Sequence, residues 1–377
     1  MNMMTSLAVP FADLSPQWDT VRDAVMPDIE RLFAANAFCL GKWVTDFERA
    51  VAGYLGAKHA VAVSSGSAAL HLAVLAAGIG TGDKVLVPSN TFIGTVWGLV
   101  YAGATPVFCD VEEGSGTIDM GDAARRMEPG VRAIIPVHLY GQPANLAAVF
   151  DFAARHSLTV VEDAAQAIGA LYDGRAVGTL ARLGCYSFYP GKNLGGAGEG
   201  GLVVTDNDAD AAALRAMRNH GQSERYLHQR LGFNYRMDGL QGLVLGHKLP
   251  HLDDWTNQRR AIAAHYDAAL RDLPLKLPQV VHQDHVYHLY VVRTPRSESL
   301  REHLRMCGIE TGRHYPVPLH RQPCFAHLPV PSHALPVTED FATNGISLPV
   351  FVGMTVVQQD RVIEAVRGFF AQGGAHG

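Results

Sequence analysis

One lysine stands inside an aromatic and glycine-rich run, SFYPGKNLGGAGEGG at residues 187–201. A solvated lysine needs no such neighbours. Lys192 is therefore a candidate nucleophile or proton carrier in backbone folded tightly around something, unless the glycines are only turn residues. Two other stretches carry groups of chemical interest. In VVEDAAQA, residues 160–167, Asp163 and Gln166 follow an apolar run, at the place where open α/β sheets bind ligands. Three residues apart at a helix start, both side chains can face one ligand, although helix N-capping is the commoner use of a carboxylate there. In AVSSGSAALHLAVLAAG, the amides of Gly66 and Ser67 open a strongly apolar helix beside a hydroxyl. Such a terminus attracts phosphate through unpaired N–H groups; plain capping by Ser65 or Ser67 is the alternative.

Other patterns lose their chemical reading in context. GAGEGG at 196–201 fits the spacing GxGxxG, but it precedes a strand pattern instead of following one and opening a helix, so no nicotinamide site is expected. GIGTGD at 78–83 ends a helix and leads into a strand, which C-capping and a turn explain. His282, His285 and His288 run into a strand pattern that points them to different faces, and no metal site is expected. No GxSxG elbow supports a serine hydrolase. The five cysteines are scattered without CxxC, which fits a reducing, cytoplasmic compartment. The N-terminal stretch has no basic region followed by an apolar run and no long apolar segment follows, so neither secretion nor membrane spanning is expected. A net charge of −5 argues against nucleic acid as a partner.

The elements that must position these groups are legible as alternation. Short β-branched runs begin at residues 59, 84, 105, 132 and 158, separated by helical patterns, which predicts a parallel sheet covered by helices. CYSFYP at 185 and GGLVVTD at 200 leave no room for a helix between them, so one strand of that pair should run antiparallel. The expectation is a three-layer αβα domain with a mixed, mostly parallel seven-stranded sheet. At 377 residues the chain exceeds the roughly 250–300 at which one core stops growing. An N-terminal arm and large domain are placed at residues 1–245, and a smaller α+β domain at 246–377, starting with the helix pattern LPHLDDWTNQRRAIAAHYDAAL. The last residues, AQGGAHG, are expected to fray.

Taken in order, SGSAAL, PSNTF, EDAAQ, SFYPGKNLGGAGEGG and GFNYRMDGLQ resemble the DegT/StrS family of pyridoxal-phosphate-dependent sugar aminotransferases, from about Val9 into the C-terminal region. The resemblance implies the aspartate-aminotransferase-like fold, a homodimer, and transfer of an amino group, usually from L-glutamate, to a ketone of a nucleotide-linked sugar. It makes Lys192 the residue that forms the Schiff base with pyridoxal 5′-phosphate, the cofactor cycling through its pyridoxamine form. Asp163 would face the pyridine nitrogen, Gln166 the phenolic oxygen, and Phe92 the ring plane. Gly66, Ser67 and Ser187 would hold the phosphate, joined by Asn234 from the neighbouring subunit. His314, Tyr315 and His320, in GRHYPVPLH, would lie on the substrate side.

Ser67 stands where threonine is common in the family, and Ala197 interrupts the glycine run; neither removes a needed group. Lysine at 192 matches aminotransferases, whereas relatives that dehydrate the sugar carry histidine there. KLPHLDDW and HVYHLYVVR resemble members acting at C-3 rather than C-4 of a keto-deoxyhexose. A fold-retaining, non-catalytic regulator and an aminotransferase for a cyclitol are the competing readings.

Overall fold

The computed structural model describes residues 8–282, 284–328 and 335–372; the tail 373–377, part of the stretch expected to fray, lies outside them. Seven strands form the main sheet: β1 (His59–Val63), β2 (Lys84–Pro88), β3 (Thr105–Cys109), β4 (Val131–Ile134), β5 (Thr159–Asp163), β6 (Leu183–Ser187) and β7 (Gly201–Thr205). Their order is β1-β7-β6-β5-β4-β2-β3. β7 is antiparallel to both its neighbours, and the pairs from β6 through β5, β4 and β2 to β3 are parallel, as the missing helix between the last two runs predicts.

These strands are apolar at nearly every position because both faces are covered. In β1, Val61 and Val63 pack on one side and Ala60 and Ala62 on the other, following the two-residue period of a strand. One face is closed by helices that include α3 (Gly66–Ala76) and α4 (Gly94–Tyr101), through Leu70, Leu72, Val74, Val96 and Leu99. The opposite face is closed by Val44, Phe47, Val51 and Leu55 of the helix Lys42–Leu55, and farther along by Val149 and Phe152 of the helix Leu146–His156. This is the expected three-layer arrangement.

The helix α5 (Gly239–Lys248) runs through Leu245 and leads by a short 3-10 turn into α6 (Leu252–Leu270). Ile262, Ala263, Tyr266 and Leu270 of α6 pack with Tyr290 and Val292 of β8 (Tyr290–Arg293) and with Ile346 and Leu348 of β9 (Gly345–Leu348). β8 and β9 are antiparallel, and Leu300, Leu304 and Val366 complete that second core. Val9 belongs to the same core, so the N-terminal arm crosses to the C-terminal part of the chain. Val137, Leu139 and Tyr140 pack against Leu289, Val291 and Phe341, which seats the smaller unit against the carboxyl end of the sheet.

Candidate active site

A cavity of about 840 Å³ opens where the sheet, the smaller unit and the N-terminal arm meet. Asp163 reaches it from the end of β5, Ser187 from the end of β6, and Gly66 and Ser67 from the start of α3. His314, Tyr315 and the segment Val350–Val352 come from the C-terminal part. Gln166, Phe92 and Lys192 also line it.

The loop after β6 positions Lys192 by bonding to itself. The Lys192 amide donates to the Tyr189 carbonyl at 2.8 Å, and the Gly196 amide returns to Phe188 O at 2.8 Å. A Cβ on Gly195 would stand 2.1 Å from the Pro190 carbonyl oxygen, so the turn closes only around a residue without one. The Gly195 carbonyl accepts from the buried Lys248 ammonium at 2.8 Å, and the Asn193 side chain donates to Val286 O at 2.8 Å, which ties the loop to α5 and to the smaller unit. Burial lowers the Lys192 pKa to about 8, against the opposing pull of the Asp163 charge.

Asp163 is almost fully buried. Its Oδ2 accepts from Thr95 Oγ1 at 2.8 Å and its Oδ1 from the Ala165 amide at 3.0 Å, while Thr91 and Thr95 share a further hydroxyl contact of 2.9 Å. Burial raises its pKa; the Ala165 and Thr95 bonds and then the Lys192 charge oppose that rise. Residues 164–169 are turns, not the helix start expected from the sequence. The carboxylate therefore closes a local turn and is held by Thr95, a residue distant in sequence. The reason is packing: Ala164, Ala167 and Ile168 are buried in the core under the sheet, and Gly169 turns the chain at φ +87°.

Gln166 is fixed at both ends of its amide. Oε1 accepts from the Tyr140 amide at 2.8 Å and Nε2 donates to the Tyr315 hydroxyl at 2.9 Å. The Tyr140 hydroxyl in turn donates to the His314 carbonyl, and His314 Nδ1 contacts Ser347 Oγ at 2.8 Å. Burial pushes the Tyr315 hydroxyl pKa up and that of His314 down to about 4, so both are neutral at physiological pH. Phe92 is half exposed at the cavity wall, its ring centroid 5.8 Å from that of Tyr315.

At the start of α3, Ser65 Oγ accepts from the Ala68 amide at 3.1 Å, so the capping reading of this serine holds, and the amides of Gly66 and Ser67 precede the first intrahelical bond. A Cβ on Gly66 would meet Ser187 Cβ at 2.7 Å, which fixes how closely strand end and helix start approach.

Two expected site residues are not brought to this cavity. His320 is buried with its ring between Ser89 Oγ (2.7 Å from Nδ1) and Glu339 Oε1 (2.8 Å from Nε2), so both nitrogens are occupied away from the cavity lining. Asn234 is exposed, its backbone bridged to Asn219, and it does not line the cavity of its own chain. In the other direction, Arg259 and His288 line the cavity without having been singled out for it. Arg259 sits in a helix pattern that reads as amphipathic, and His288 belongs to a histidine group that the sequence reads as scattered surface and substrate-facing residues, not as metal ligands. Among the described residues, no group of three or more His, Cys, Asp or Glu is placed to hold a metal.

Residues 20–367 match the family described as DegT/DnrJ/EryC1/StrS aminotransferase family. The chain is 43% identical over 361 residues to a dTDP-3-amino-3,4,6-trideoxy-alpha-D-glucose transaminase of Streptomyces venezuelae, covering 95% of each protein. It is 41% identical to a protein of Geobacillus stearothermophilus named pleiotropic regulatory protein, across 96% of this chain and 98% of that one. Among solved structures it is similar to S. venezuelae DesV in complex with a ketimine intermediate, with a TM-score of 0.94 and 43% identity over 96% of this chain and 98% of that one.

Proposed function

The chain belongs to the DegT/DnrJ/EryC1/StrS aminotransferase family, and on that premise we propose that it moves the amino group of L-glutamate onto the C-3 keto carbon of a nucleotide-linked keto-deoxy sugar. It is a pyridoxal-phosphate-dependent aminotransferase. The observation that carries the proposal is a lysine whose burial brings its pKa to about 8, coupled to a buried carboxylate across one cavity.

The donor set fits the cofactor. Amides at the start of α3 and the Ser187 hydroxyl suit its phosphate, Asp163 suits its ring nitrogen, and Lys192 suits its aldehyde. When bound, the cofactor takes up the donor's amino group and spreads the negative charge left when a Cα proton departs. The chain supplies the remainder. Asp163, already braced by Thr95 and Ala165, would hold a proton on the ring nitrogen by placing a carboxylate against it. Lys192, whose pKa of about 8 leaves a usable share of free amine near neutral pH, would accept the donor's Cα proton and give a proton back on the other side of the transfer. Gln166 and Tyr315 form a fixed polar wall, and Phe92 and Tyr189 stand at the more open part of the cavity.

C-3 is supported by the segments KLPHLDDW and HVYHLYVVR and by the name of the Streptomyces relative. Asn234, exposed and outside its own cavity, supports a homodimer in which it reaches the phosphate site of a second copy. A reducing, cytoplasmic setting is supported by five cysteines that are all free. Joint presence of Lys192, Asp163 and Gln166 in one cavity favours turnover over a purely regulatory role of the kind the Geobacillus name suggests. The test is to supply ¹⁵N-labelled glutamate with nucleotide-linked 3-keto and 4-keto sugars and to locate the label by NMR. Label on C-3 with release of 2-oxoglutarate is expected; label only on C-4, or transfer only to a cyclitol ketone, overturns the regiochemistry or the substrate.

A further inference from the structure

Arg259 on α6 is 5% exposed and lines the active-site cavity. Its Nη1 donates to two neutral acceptors, the carbonyls of Tyr287 (3.2 Å) and Val350 (2.8 Å), and its Nε is buried with no partner. Among the described residues no carboxylate pairs with it. A desolvated guanidinium without a counter-anion is a costly arrangement unless an anion arrives. Burial lowers its pKa only to about 10, so it stays charged at neutral pH.

His288 follows Tyr287 directly and lines the same cavity, and its Nδ1 is also buried with no partner. Burial first, and then the nearby Lys192 and Arg259 charges, press its pKa well down, so the ring is a neutral imidazole with one N–H to donate. The acids on the cavity wall do not neutralise this corner. Asp163 is engaged by Thr95 and Ala165, Asp13 accepts from the Ser15 amide, and Glu199 is exposed.

We propose that Arg259 and His288 form the subsite that binds a carboxylate of the amino donor. The planar guanidinium suits a carboxylate, whose two oxygens accept parallel N–H bonds, and the imidazole N–H adds a third donor. In a corner with little water such bonds are strong, and the anion supplies the charge that the protein leaves out. The proposal rests on glutamate as the donor and makes this subsite the reason an amino acid, and not a simple amine, is chosen.

The test measures calorimetric binding of glutarate, a dicarboxylate that lacks the amino group, to holoenzyme, alongside separate KM values for glutamate and for the keto sugar. His288→Leu and Arg259→Lys are compared with wild type. Arg259→Gln is added with a fold check by circular dichroism, because it also gives up the Tyr287 and Val350 bonds. The expected result is at least tenfold weaker glutarate binding and a similarly raised glutamate KM in the folded variants, with the sugar KM unchanged. If His288→Leu and Arg259→Lys bind glutarate like wild type and keep the glutamate KM, the subsite is wrong while the aminotransferase reading stands. If both variants lose glutarate binding but wild type transfers no amino group from glutamate, the carboxylate subsite stands and the choice of donor is wrong.

Discussion

Lys192 is the most direct place to test the electrostatics of the site, because burial sets its pKa at about 8 where a solvated lysine titrates near 10.4. The perturbation is pH, and the material is cofactor-free protein. At pH 7.5 a group with the folded value is about a quarter free amine, while an ordinary lysine is about 0.1% free amine, a difference of roughly 200-fold in available nucleophile. The same contrast corresponds to a bias on the order of 3 kcal/mol toward the neutral amine. Competitive labelling with an amine-reactive aldehyde and cyanoborohydride, read peptide by peptide in mass spectrometry from pH 6 to 11, gives the titration of each lysine. Lys192 should show a midpoint near 8. Asp163→Asn should move the Lys192 midpoint lower still, since the Asp163 charge is the influence that raises it. A Lys192 midpoint near 10 in wild type, or an upward move in Asp163→Asn, would refute the reasoning.

Three further expectations follow from the same geometry. In wild type, the unfolded chain binds more protons than the native state between about pH 8 and 10.4, so this lysine makes native stability rise across that window and imposes its full penalty below it. Cofactor-free Lys192→Met should then be more stable at pH 7 by about 1–2 kcal/mol, discounted from the full figure because Asp163 loses its attraction, and the gap measured by chemical denaturation should close toward pH 10; a gap that does not vary with pH contradicts it. Asp163→Asn should retain the fold and lower turnover by at least 100-fold, each tenfold being about 1.4 kcal/mol of lost transition-state stabilisation, with cofactor lost more readily on dialysis; near-normal turnover would leave Asp163 a turn-closing residue only. Gly66→Ala should weaken cofactor affinity because its Cβ would meet Ser187 Cβ at 2.7 Å, and Gly66→Ala with Ser187→Gly should restore the melting temperature without restoring affinity, since the hydroxyl is gone; unchanged affinity in Gly66→Ala would remove the helix start from the phosphate site.

What the sequence made legible was whatever is encoded in contiguous stretches. Runs such as KVLVP and LTVVED carry unbroken apolar stretches because helices cover both faces, and the antiparallel pairing of β7 with β6 was dictated by the shortness of the connection after Ser187. The tight loop around Lys192 was likewise visible, although its glycines serve close approach of the loop to itself more than any left-handed backbone. Tertiary partners were not legible. The capping alternative for Asp163 stayed open because nothing local announces Thr95, 68 positions upstream, as the group that holds it. His320 looked like a substrate residue because it shares the segment GRHYPVPLH with His314 and Tyr315, yet a short 3-10 turn carries its ring to Ser89 and Glu339. Arg259 and His288 come from different elements with no motif spacing, so only the folded chain puts both on the wall of one cavity.

The central claim is that Lys192 is the covalent anchor and proton carrier of an aminotransferase. Reducing the freshly purified holoenzyme with borohydride, digesting it and sequencing the cofactor-bearing peptide tests that claim most directly. The account predicts the tag on Lys192, in the peptide containing SFYPGKNLGG, and disappearance of the tag after pretreatment with excess glutamate, which leaves the cofactor in its amine form and free of the lysine. A tag on any other lysine, or a tag on Lys192 that glutamate does not displace, would contradict it.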